Sequence, residues 1–123
     1  MRKVLEDNVS LITQETFDRQ DDFMETEADR RKKIPVTSGV LFYFPDAIRE
    51  VAKCSQVGND QHHPDKPLHW DKSKSTDEYD CMNRHLLDHQ ENPIDTDGTL
   101  HLAKVAWRAL AGLQRYMDNL KNS

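Results

Sequence analysis

Apolar residues recur at helical spacing in three stretches of the chain, and polar or turn-forming residues separate these stretches. Amphipathic spacing of this kind predicts helices at roughly residues 45–61, 76–90 and 99–120. Pro45 suits the first turn of a helix, where its missing N–H costs nothing, and the carboxylate of Asp46 complements the helix dipole there. We therefore expect an all-α bundle with three main helices.

The second and third predicted helices each carry an apolar face that we expect to be buried. In the second helix this stripe consists of Tyr79, Met82, Leu86 and Leu87. In the third helix the apolar arc is wide, which suits packing on two neighbouring helices or on a second subunit. The members of that arc are Leu100, Leu102, Ala103, Ala106, Trp107, Ala109, Leu110, Leu113 and Tyr116. Ser75 and Glu78 have the spacing of a capping box at the start of the second helix.

Two further segments differ from the helices in pattern. Residues 34–44 are rich in β-branched and aromatic side chains, so they form either a short strand or an apolar lead-in to the helices. We favour the lead-in. Residues 62–74 contain two prolines and no periodicity, which predicts a long loop, and such loops are usually functional or disordered. Trp70 argues against disorder, because a large aromatic ring tends to find a packing partner.

Length and charge narrow the class of protein. The chain has 123 residues and a net charge of -5. We divide it into a charged N-terminal arm, residues 1–33, and one domain, residues 34–123. The arm is either a solvated tail or a helix that forms with a partner. The acidic balance argues against a general DNA or RNA binder, whereas a phosphorylated ligand can still bind through metal ions.

The cysteines and the hydropathy indicate the compartment. Cys54 and Cys81 stand in no paired motif, and no apolar run approaches the length of a membrane span. These features indicate a cytosolic protein with reduced thiols.

Acidic side chains are the first candidate for chemistry. Glu50 lies on the first helix, Asp77 and Asp80 lie three residues apart on the second, and Asp95 and Asp97 precede the third. Carboxylates are the ligands that Mg²⁺ and Mn²⁺ prefer, so facing helices could hold such ions. Acids at this spacing on a surface helix are also common as solvated charge.

Histidines and basic residues are the second candidate. Five of the six histidines lie between residues 57 and 89, and the sixth is His101. Each one alone would be an ordinary surface histidine, but the crowding suggests a site. A zinc site built from Cys54, Cys81 and nearby histidines is an alternative, although the paired spacing of structural zinc sites is missing. Lys72 and Lys104 could hold phosphates, and Trp70 either stacks on a base or pins the loop to the core.

Three blocks of the sequence carry a family resemblance. They are "GNDQHHPDKPLHW", "DEYDCMNRHLLDH" and "DTDGTLHLAKVAWRAL". In these blocks the chain resembles a phage family of MazG-like pyrophosphohydrolases, described as dATP/dGTP diphosphohydrolases and including the MazZ enzymes. The resemblance covers about residues 34–115, and the first 33 residues carry little of it.

The resemblance implies a fold and an activity. The fold would be the all-α NTP pyrophosphatase bundle, assembled as a dimer or a dimer of dimers. The reaction would convert a deoxynucleoside triphosphate and water into the monophosphate and pyrophosphate, with two or three Mg²⁺ or Mn²⁺ ions. The substrate in MazZ-type phages is dGTP, and its product feeds synthesis of 2-aminoadenine nucleotides. The protein would act in the cytoplasm of the infected bacterium.

The resemblance also implies roles for particular residues. The wider MazG group carries two E-x-x-E and E-x-x-D half-sites, and Asp77-x-x-Asp80 can stand for one of them, while Glu50 is the only glutamate in the other. We assign metal binding to Glu50, Asp77, Asp80 and Asp97. We assign catalysis to Glu50, Asp77, Asp80, His85 and His101. We assign substrate binding to Asn59, His62, His69, Trp70, Lys72, Arg84 and Lys104.

Three other functions remain alternatives at this point. One is a dATP/dGTP or broad dNTP house-cleaning pyrophosphatase. The second is a non-catalytic helical module that binds metal or nucleotide. The third is an interaction protein whose charged arm engages a partner.

Overall fold

A computed structural model of the chain describes residues 25–74 and 76–122. Its helices are α1 (Glu27–Lys32), α2 (Pro45–His62), α3 (Glu78–Glu91) and α4 (His101–Lys121), with a π-helical turn at Thr37–Leu41. The described residues contain no strand beyond an isolated bridge between Ile94 and Leu100. The predicted all-α class is therefore confirmed for this part of the chain.

The chain divides into two compact units, Met1–Tyr43 and Phe44–Ser123. In the first unit, Thr26 caps α1: its hydroxyl accepts from the Asp29 amide at 3.0 Å, and the Asp29 carboxylate accepts from the Thr26 amide at 3.4 Å. Every side chain of α1 is exposed. Residues 1–24 of the predicted arm lie outside the described residues, and the division at residues 33 and 34 stays a prediction.

Residues 34–44, for which a strand was one possibility, are instead largely helical. The π-helical turn has no buried side chain. Phe42 and Tyr43, just after it, are exposed. This segment therefore contributes no buried side chain to a core.

In the second unit α4 is the common partner of α2 and α3. The start of α3 lies at the end of α4, where Glu78 accepts a hydrogen bond from Arg115 at 2.9 Å. Farther along α3, His85 lies beside His101 at the start of α4. The two helices are thus antiparallel. Helix α2 also runs antiparallel to α4, because Gln61 at the end of α2 donates to Asp97 just before α4 at 3.4 Å, while the earlier Ser55 accepts from Trp107 farther along α4 at 2.6 Å.

The helix positions agree with those predicted from the sequence, but one predicted helix cap does not. Helix α2 begins at Pro45 as predicted, and the other helix ends lie within two residues of expectation. The N-cap of α3 is Asp77, and its side chain makes no capping hydrogen bond. Glu78 is buried and accepts from Arg115 instead of reaching back to a cap amide. The predicted capping box is therefore wrong in the part that Glu78 was to supply; Ser75 itself lies outside the described residues.

The buried core is smaller than the apolar stripes predict. The buried apolar residues in the described part of the chain are Cys81, Ala103 and Ala111. Several residues that were expected to be buried are exposed: Tyr79, Leu86, Leu87, Leu100, Leu102, Leu110, Leu113 and Tyr116. The reason is that the helices of one chain meet along the narrow faces that carry the small residues. Of the two options for the wide arc on α4, its neighbours within one chain do not cover it.

The hydropathy of these helices bears on membranes. Among the described residues, no helix has both the length and the apolar character needed to cross a bilayer.

Candidate functional site

The link between α3 and α4, residues 92–100, folds back on itself and presents two carboxylates. We call it the acidic loop. The Asp95 amide donates to the Thr99 carbonyl at 2.8 Å, and the Gly98 amide donates to the Asp95 carbonyl at 2.9 Å. Gly98 has φ of +85°, a conformation that glycine adopts without a steric penalty. The tight turn brings Asp95 and Asp97 to the same side of the loop.

Lys104, in the first turn of α4, lies between these two carboxylates. Its Nζ is 2.6 Å from Asp95 Oδ2 and 2.7 Å from Asp97 Oδ2. Burial alone would lower the pKa of Lys104, but the hydrogen bonds to both aspartates outweigh burial and raise it above its ordinary value. The ammonium is therefore held in its charged form.

Both aspartates are further fixed by the loop. Asp97 Oδ1 accepts from the Thr99 hydroxyl at 2.6 Å and from the Thr99 amide at 3.0 Å. Burial would raise the pKa of Asp97, but hydrogen bonds from Lys104 and Thr99 lower it well below the usual range. The hydrogen bond from Lys104 likewise lowers the pKa of Asp95. Thr99 is fully buried, so this arrangement leaves the carboxylate of Asp97 little freedom to move.

Two histidines complete the group. Nδ1 of His85 lies 2.9 Å from Nδ1 of His101, and the ring centroids are 5.2 Å apart. Asp95 Oδ2 is 3.9 Å from the His85 nitrogen and 3.8 Å from the His101 nitrogen. Burial and the nearby Lys104 charge lower the pKa of His85, which favours the neutral ring.

We call this group the polar junction; its members are His85, Asp95, Asp97, His101 and Lys104. His85, Asp95 and His101 offer one ligand atom each within 4.8 Å of one another, so they form a group that could hold a metal ion. Among the described residues no other such group of three histidine, cysteine or acidic side chains occurs. The junction contains four of the predicted site residues: His85, Asp97, His101 and Lys104.

The predicted carboxylate ligands are not brought together in one chain. Glu50 pairs with Lys53 at 3.0 Å on the surface of α2. Asp77 accepts from the Cys81 thiol at 3.4 Å, and Asp80 is exposed. Within the described ranges, no three of Glu50, Asp77, Asp80 and Asp97 form a metal-binding group. Their assignment as ligands and catalytic groups stays a prediction.

Trp70 and Lys72 lie at the other end of α4, where Arg115 fastens the long loop. Arg115 Nε donates to Glu78 at 2.9 Å, Nη1 donates to the Lys72 carbonyl at 2.6 Å, and Nη2 donates to the Lys74 carbonyl at 3.0 Å. Its guanidinium also lies 5.6 Å from the Trp70 ring centroid. We call Arg115 with Glu78 and these two carbonyls the arginine clamp. Trp70 thereby pins the loop, as one of the two sequence interpretations expected.

Trp70 also borders an open cleft between α2 and α4. Its ring meets that of Trp107 edge to face at a centroid distance of 5.4 Å, and Trp107 Nε1 donates to Ser55 on α2 at 2.6 Å. The cleft has a volume of about 380 Å³ and a largely apolar lining. Its walls include Ile48, Val51, Trp70, Trp107, Leu110 and Gln114.

The remaining predicted binding residues lie apart from each other. Asn59 is buried, and its amide donates to the Lys66 carbonyl at 2.9 Å, while its side-chain oxygen has no partner. His62 and His69 are exposed near the two ends of the long loop. Arg84 Nη2 donates to the Cys81 sulfur at 3.4 Å on the surface of α3. Their binding roles remain predictions.

Sequence reasoning missed two residues that organise this unit. Asp95 was noted as an acid of the link but not as a ligand, and the histidines sixteen positions apart gave no hint that it would face both. Arg115 was not among the candidate site residues. Its sequence signal is weak, because nothing in the spacing from Glu78 to Arg115 indicates a pair. The cysteines, proposed as an alternative zinc site, form no metal-binding group within the described residues.

Comparison with known families agrees with the sequence resemblance. A family model described as dATP/dGTP diphosphohydrolase, N-terminal, matches residues 25–122. The match begins before residue 34, so it extends farther toward the N-terminus than the resemblance did. Neither the curated proteins nor the solved structures contain a match. The matched region spans most of the chain, and the chain therefore belongs to the dATP/dGTP diphosphohydrolase N-terminal family.

Proposed function

We propose that this protein hydrolyses a deoxynucleoside triphosphate, with dGTP as the favoured substrate, to the monophosphate and pyrophosphate. The observation that carries the proposal is the family match over residues 25–122. In the reaction, a water oxygen bonds to the α-phosphorus, the bond from this phosphorus to the bridging oxygen breaks, and pyrophosphate leaves. The water gives up its protons to solvent or to a nearby base.

The basic residues of the second unit differ in how accessible their side chains are to a triphosphate. Lys104 is half-buried between carboxylates, whereas the Lys72 ammonium lies at the surface, 5.1 Å from the Trp70 ring centroid and 3.0 Å from Asp118. Arg84 is exposed on α3. Lys72 and Arg84 are therefore reachable by a triphosphate, and Lys104 acts mainly by positioning Asp95 and Asp97.

The open cleft beside Trp70 is our candidate for the base. Apolar walls bordered by two indole rings suit a flat purine, because every nucleobase has a flat face that can stack on an aromatic ring. Gln114 at the cleft offers an amide that can donate and accept hydrogen bonds. Preference for dGTP over dATP would then depend on how this amide meets the base edge.

Divalent ions would be held by the acids assigned from the resemblance, Glu50, Asp77, Asp80 and Asp97. When bound, Mg²⁺ or Mn²⁺ would neutralise the triphosphate and lower the pKa of an attacking water. One chain does not bring three of these carboxylates together within the described ranges, so we propose that the hydrolytic ions need acids from a second copy.

Assembly as a homodimer or homotetramer is part of this proposal. Its support is the exposed apolar surface of α4 outside the cleft, where Tyr116 is 60% exposed and Leu120 is 52% exposed. Contiguous exposed apolar surface of this kind usually marks an interaction site. Tyr116→Glu should shift the protein toward the monomer in light scattering, while Leu68→Glu, on the exposed loop, should not. A monomeric wild-type protein would contradict the assembly.

We place the activity in the cytoplasm of a phage-infected bacterium, supplying dGMP for 2-aminoadenine nucleotide synthesis. The experiment that tests the reaction is product analysis by chromatography. The pure protein is incubated with each common NTP and dNTP in Mg²⁺, Mn²⁺ or EDTA. Metal-dependent monophosphate and pyrophosphate, strongest with dGTP, would support the proposal.

Other products would separate the alternatives. Monophosphate from many nucleotides would indicate a broad house-cleaning enzyme. No turnover, but stabilisation by nucleotide and metal, would indicate a binding module. Asp77→Asn and Asp80→Asn should lower turnover by about a hundredfold or more if their carboxylates hold the ions, with unchanged helix content by circular dichroism.

A further inference from the structure

We propose that His85, Asp95 and His101 form a binding site for a first-row transition-metal ion of the Zn²⁺ type. The site shares no ligand with the four carboxylates that would hold Mg²⁺ or Mn²⁺ for hydrolysis, although one of these, Asp97, is joined to Asp95 through Lys104. It concerns metal binding by the protein without nucleotide, so it goes beyond the proposed function and does not depend on it.

The spacing of the three ligand atoms carries the proposal. His85 Nδ1, His101 Nδ1 and Asp95 Oδ2 form a triangle with sides of 2.9, 3.8 and 3.9 Å. The circle through three points with these separations has a radius of about 2.1 Å, so one position is about 2.1 Å from all three atoms. Zinc binds imidazole nitrogen at about 2.0–2.1 Å and carboxylate oxygen at about 2.0–2.2 Å. An ion therefore fits with little movement of the side chains.

The donor types decide which ion fits. Two neutral imidazoles and one carboxylate suit Zn²⁺, Co²⁺ or Ni²⁺, whereas Mg²⁺ and Ca²⁺ prefer oxygen ligands. Three protein ligands also leave a coordination position for water or a ligand oxygen, as in catalytic rather than structural zinc sites.

Surrounding hydrogen bonds hold the ligands in place before any ion arrives. Asp95 Oδ1 accepts from the Thr96 amide at 2.6 Å, which orients the other oxygen toward the histidines. His101 is 5% exposed at the first turn of α4, and His85 is held opposite it on α3. Partners that orient ligands in this way raise metal affinity.

Lys104 is the feature that an ion must accommodate. Its ammonium donates to the same Asp95 oxygen that faces the histidines, at 2.6 Å. A carboxylate oxygen has lone pairs for two partners, and Asp97 shares the ammonium at 2.7 Å. Without an ion, a hydrogen bond between the two Nδ1 atoms is enough to explain the 2.9 Å distance between them. The experiment must therefore separate a hydrogen-bonded pair from a metal site.

The test is a Co²⁺ titration of the full chain, prepared without a histidine tag and treated with a chelator. We expect one Co²⁺ per chain with visible d–d absorption of a four- or five-coordinate ion, and displacement of Co²⁺ by Zn²⁺ but not by Mg²⁺. His85→Gln and Asp95→Asn should each weaken binding by roughly a hundredfold or more, because each removes one of three ligands. His63→Ala is the matched control, since His63 is exposed and outside the junction, and it should bind Co²⁺ as the wild type does.

A second measurement covers the case in which a variant fails to fold. X-ray absorption of the Zn²⁺-loaded wild-type chain should show two imidazole ligands and one or two oxygen ligands. The proposal is overturned if Co²⁺ leaves the spectrum unchanged, if folded His85→Gln binds as tightly as wild type, or if absorption shows no imidazole. Because no nucleotide is present, none of these results bears on dNTP hydrolysis, and lack of turnover would leave the metal site standing.

Discussion

The two ends of α4 are held in opposite ways. At its start, the polar junction buries charged and polar groups, each with a partner: His101 is 5% exposed and Lys104 pairs with two carboxylates. Toward its end, large apolar side chains such as Leu113 are exposed, and the arginine clamp joins the helix to the long loop. The buried residues of this helix are His101 and the small residues Ala103, Ala111 and Gly112, so burial follows the contacts with neighbouring helices more than hydropathy. The apolar end presents exposed side chains to a partner, whereas the polar groups at the start of the helix are paired with each other within one chain.

The largest effect should come from removing the central charge of the polar end. Lys104→Met leaves two largely buried carboxylates without their cation, and removal of one partner from a buried pair is strongly destabilising. We expect the free energy of unfolding in urea to fall by about 3 kcal/mol. Lys53→Met, which breaks an exposed pair with Glu50, should cost no more than about 0.5 kcal/mol. Equal effects would mean that the junction contributes no more than a surface pair.

The clamp at the apolar end gives the next largest effect. Arg115→Ala leaves the buried carboxylate of Glu78 unpaired and frees two loop carbonyls, so we expect a loss of about 2 kcal/mol. Tryptophan fluorescence should also change, because Trp70 loses the guanidinium beside its ring. Arg49→Ala, which removes an exposed pair with Asp46, is the control and should leave stability within about 0.5 kcal/mol of wild type. An unchanged denaturation midpoint in Arg115→Ala would refute the role of the clamp.

A smaller effect on stability distinguishes Gly98, in the acidic loop, from Gly58, which lies within a helix. Gly98 has φ of +85°, so Gly98→Ala should destabilise the protein by about 1 kcal/mol through backbone strain. Gly58 lies within α2 with open space around it, so Gly58→Ala should stabilise the protein by a few tenths of a kcal/mol up to about 1 kcal/mol. We expect Gly98→Ala to lower the midpoint of thermal denaturation and Gly58→Ala to raise it. The same sign in both would contradict the strained turn.

The smallest effect is a change of reactivity with pH. Burial raises the pKa of the Cys54 thiol above its ordinary value, so less of it is thiolate at pH 8 than in an unfolded peptide. Iodoacetamide should therefore alkylate Cys54 more slowly in the folded protein, with a rate that keeps rising at higher pH. Mass spectrometry of the Cys54 peptide measures this, with the urea-unfolded chain as control. Identical pH profiles in the two states would contradict the prediction.

The sequence located the helices but not the faces that they bury. Pro45, the proline-rich loop and the acidic link interrupt the helical pattern. The predicted helix ends therefore lie within two residues of the observed ones. The apolar stripes suggested buried faces that are exposed, such as those of Leu86 and Leu113. Which face of a helix is buried depends on its neighbours, and periodicity within one helix does not determine them.

The same limit applies to the site. His85, Asp97, His101 and Lys104 were named as candidates because of their chemistry and the family resemblance. Their meeting point depends on the antiparallel pairing of α3 and α4 and on the turn at Gly98, neither of which has a direct signal in residue spacing. The turn places Asp95 3.9 Å from the His85 nitrogen and 3.8 Å from the His101 nitrogen, a proximity that residue spacing does not indicate.

The short acidic loop has a consequence for the order of folding. Helices α3 and α4 meet across residues 92–100, so their contacts near the loop join residues close in sequence and cost little chain entropy to form. We expect this helical hairpin to form in the folding transition state, with α2 docking later through contacts such as Ser55 to Trp107. Substitutions in the hairpin should therefore slow folding, whereas Ser55→Ala should mainly speed unfolding.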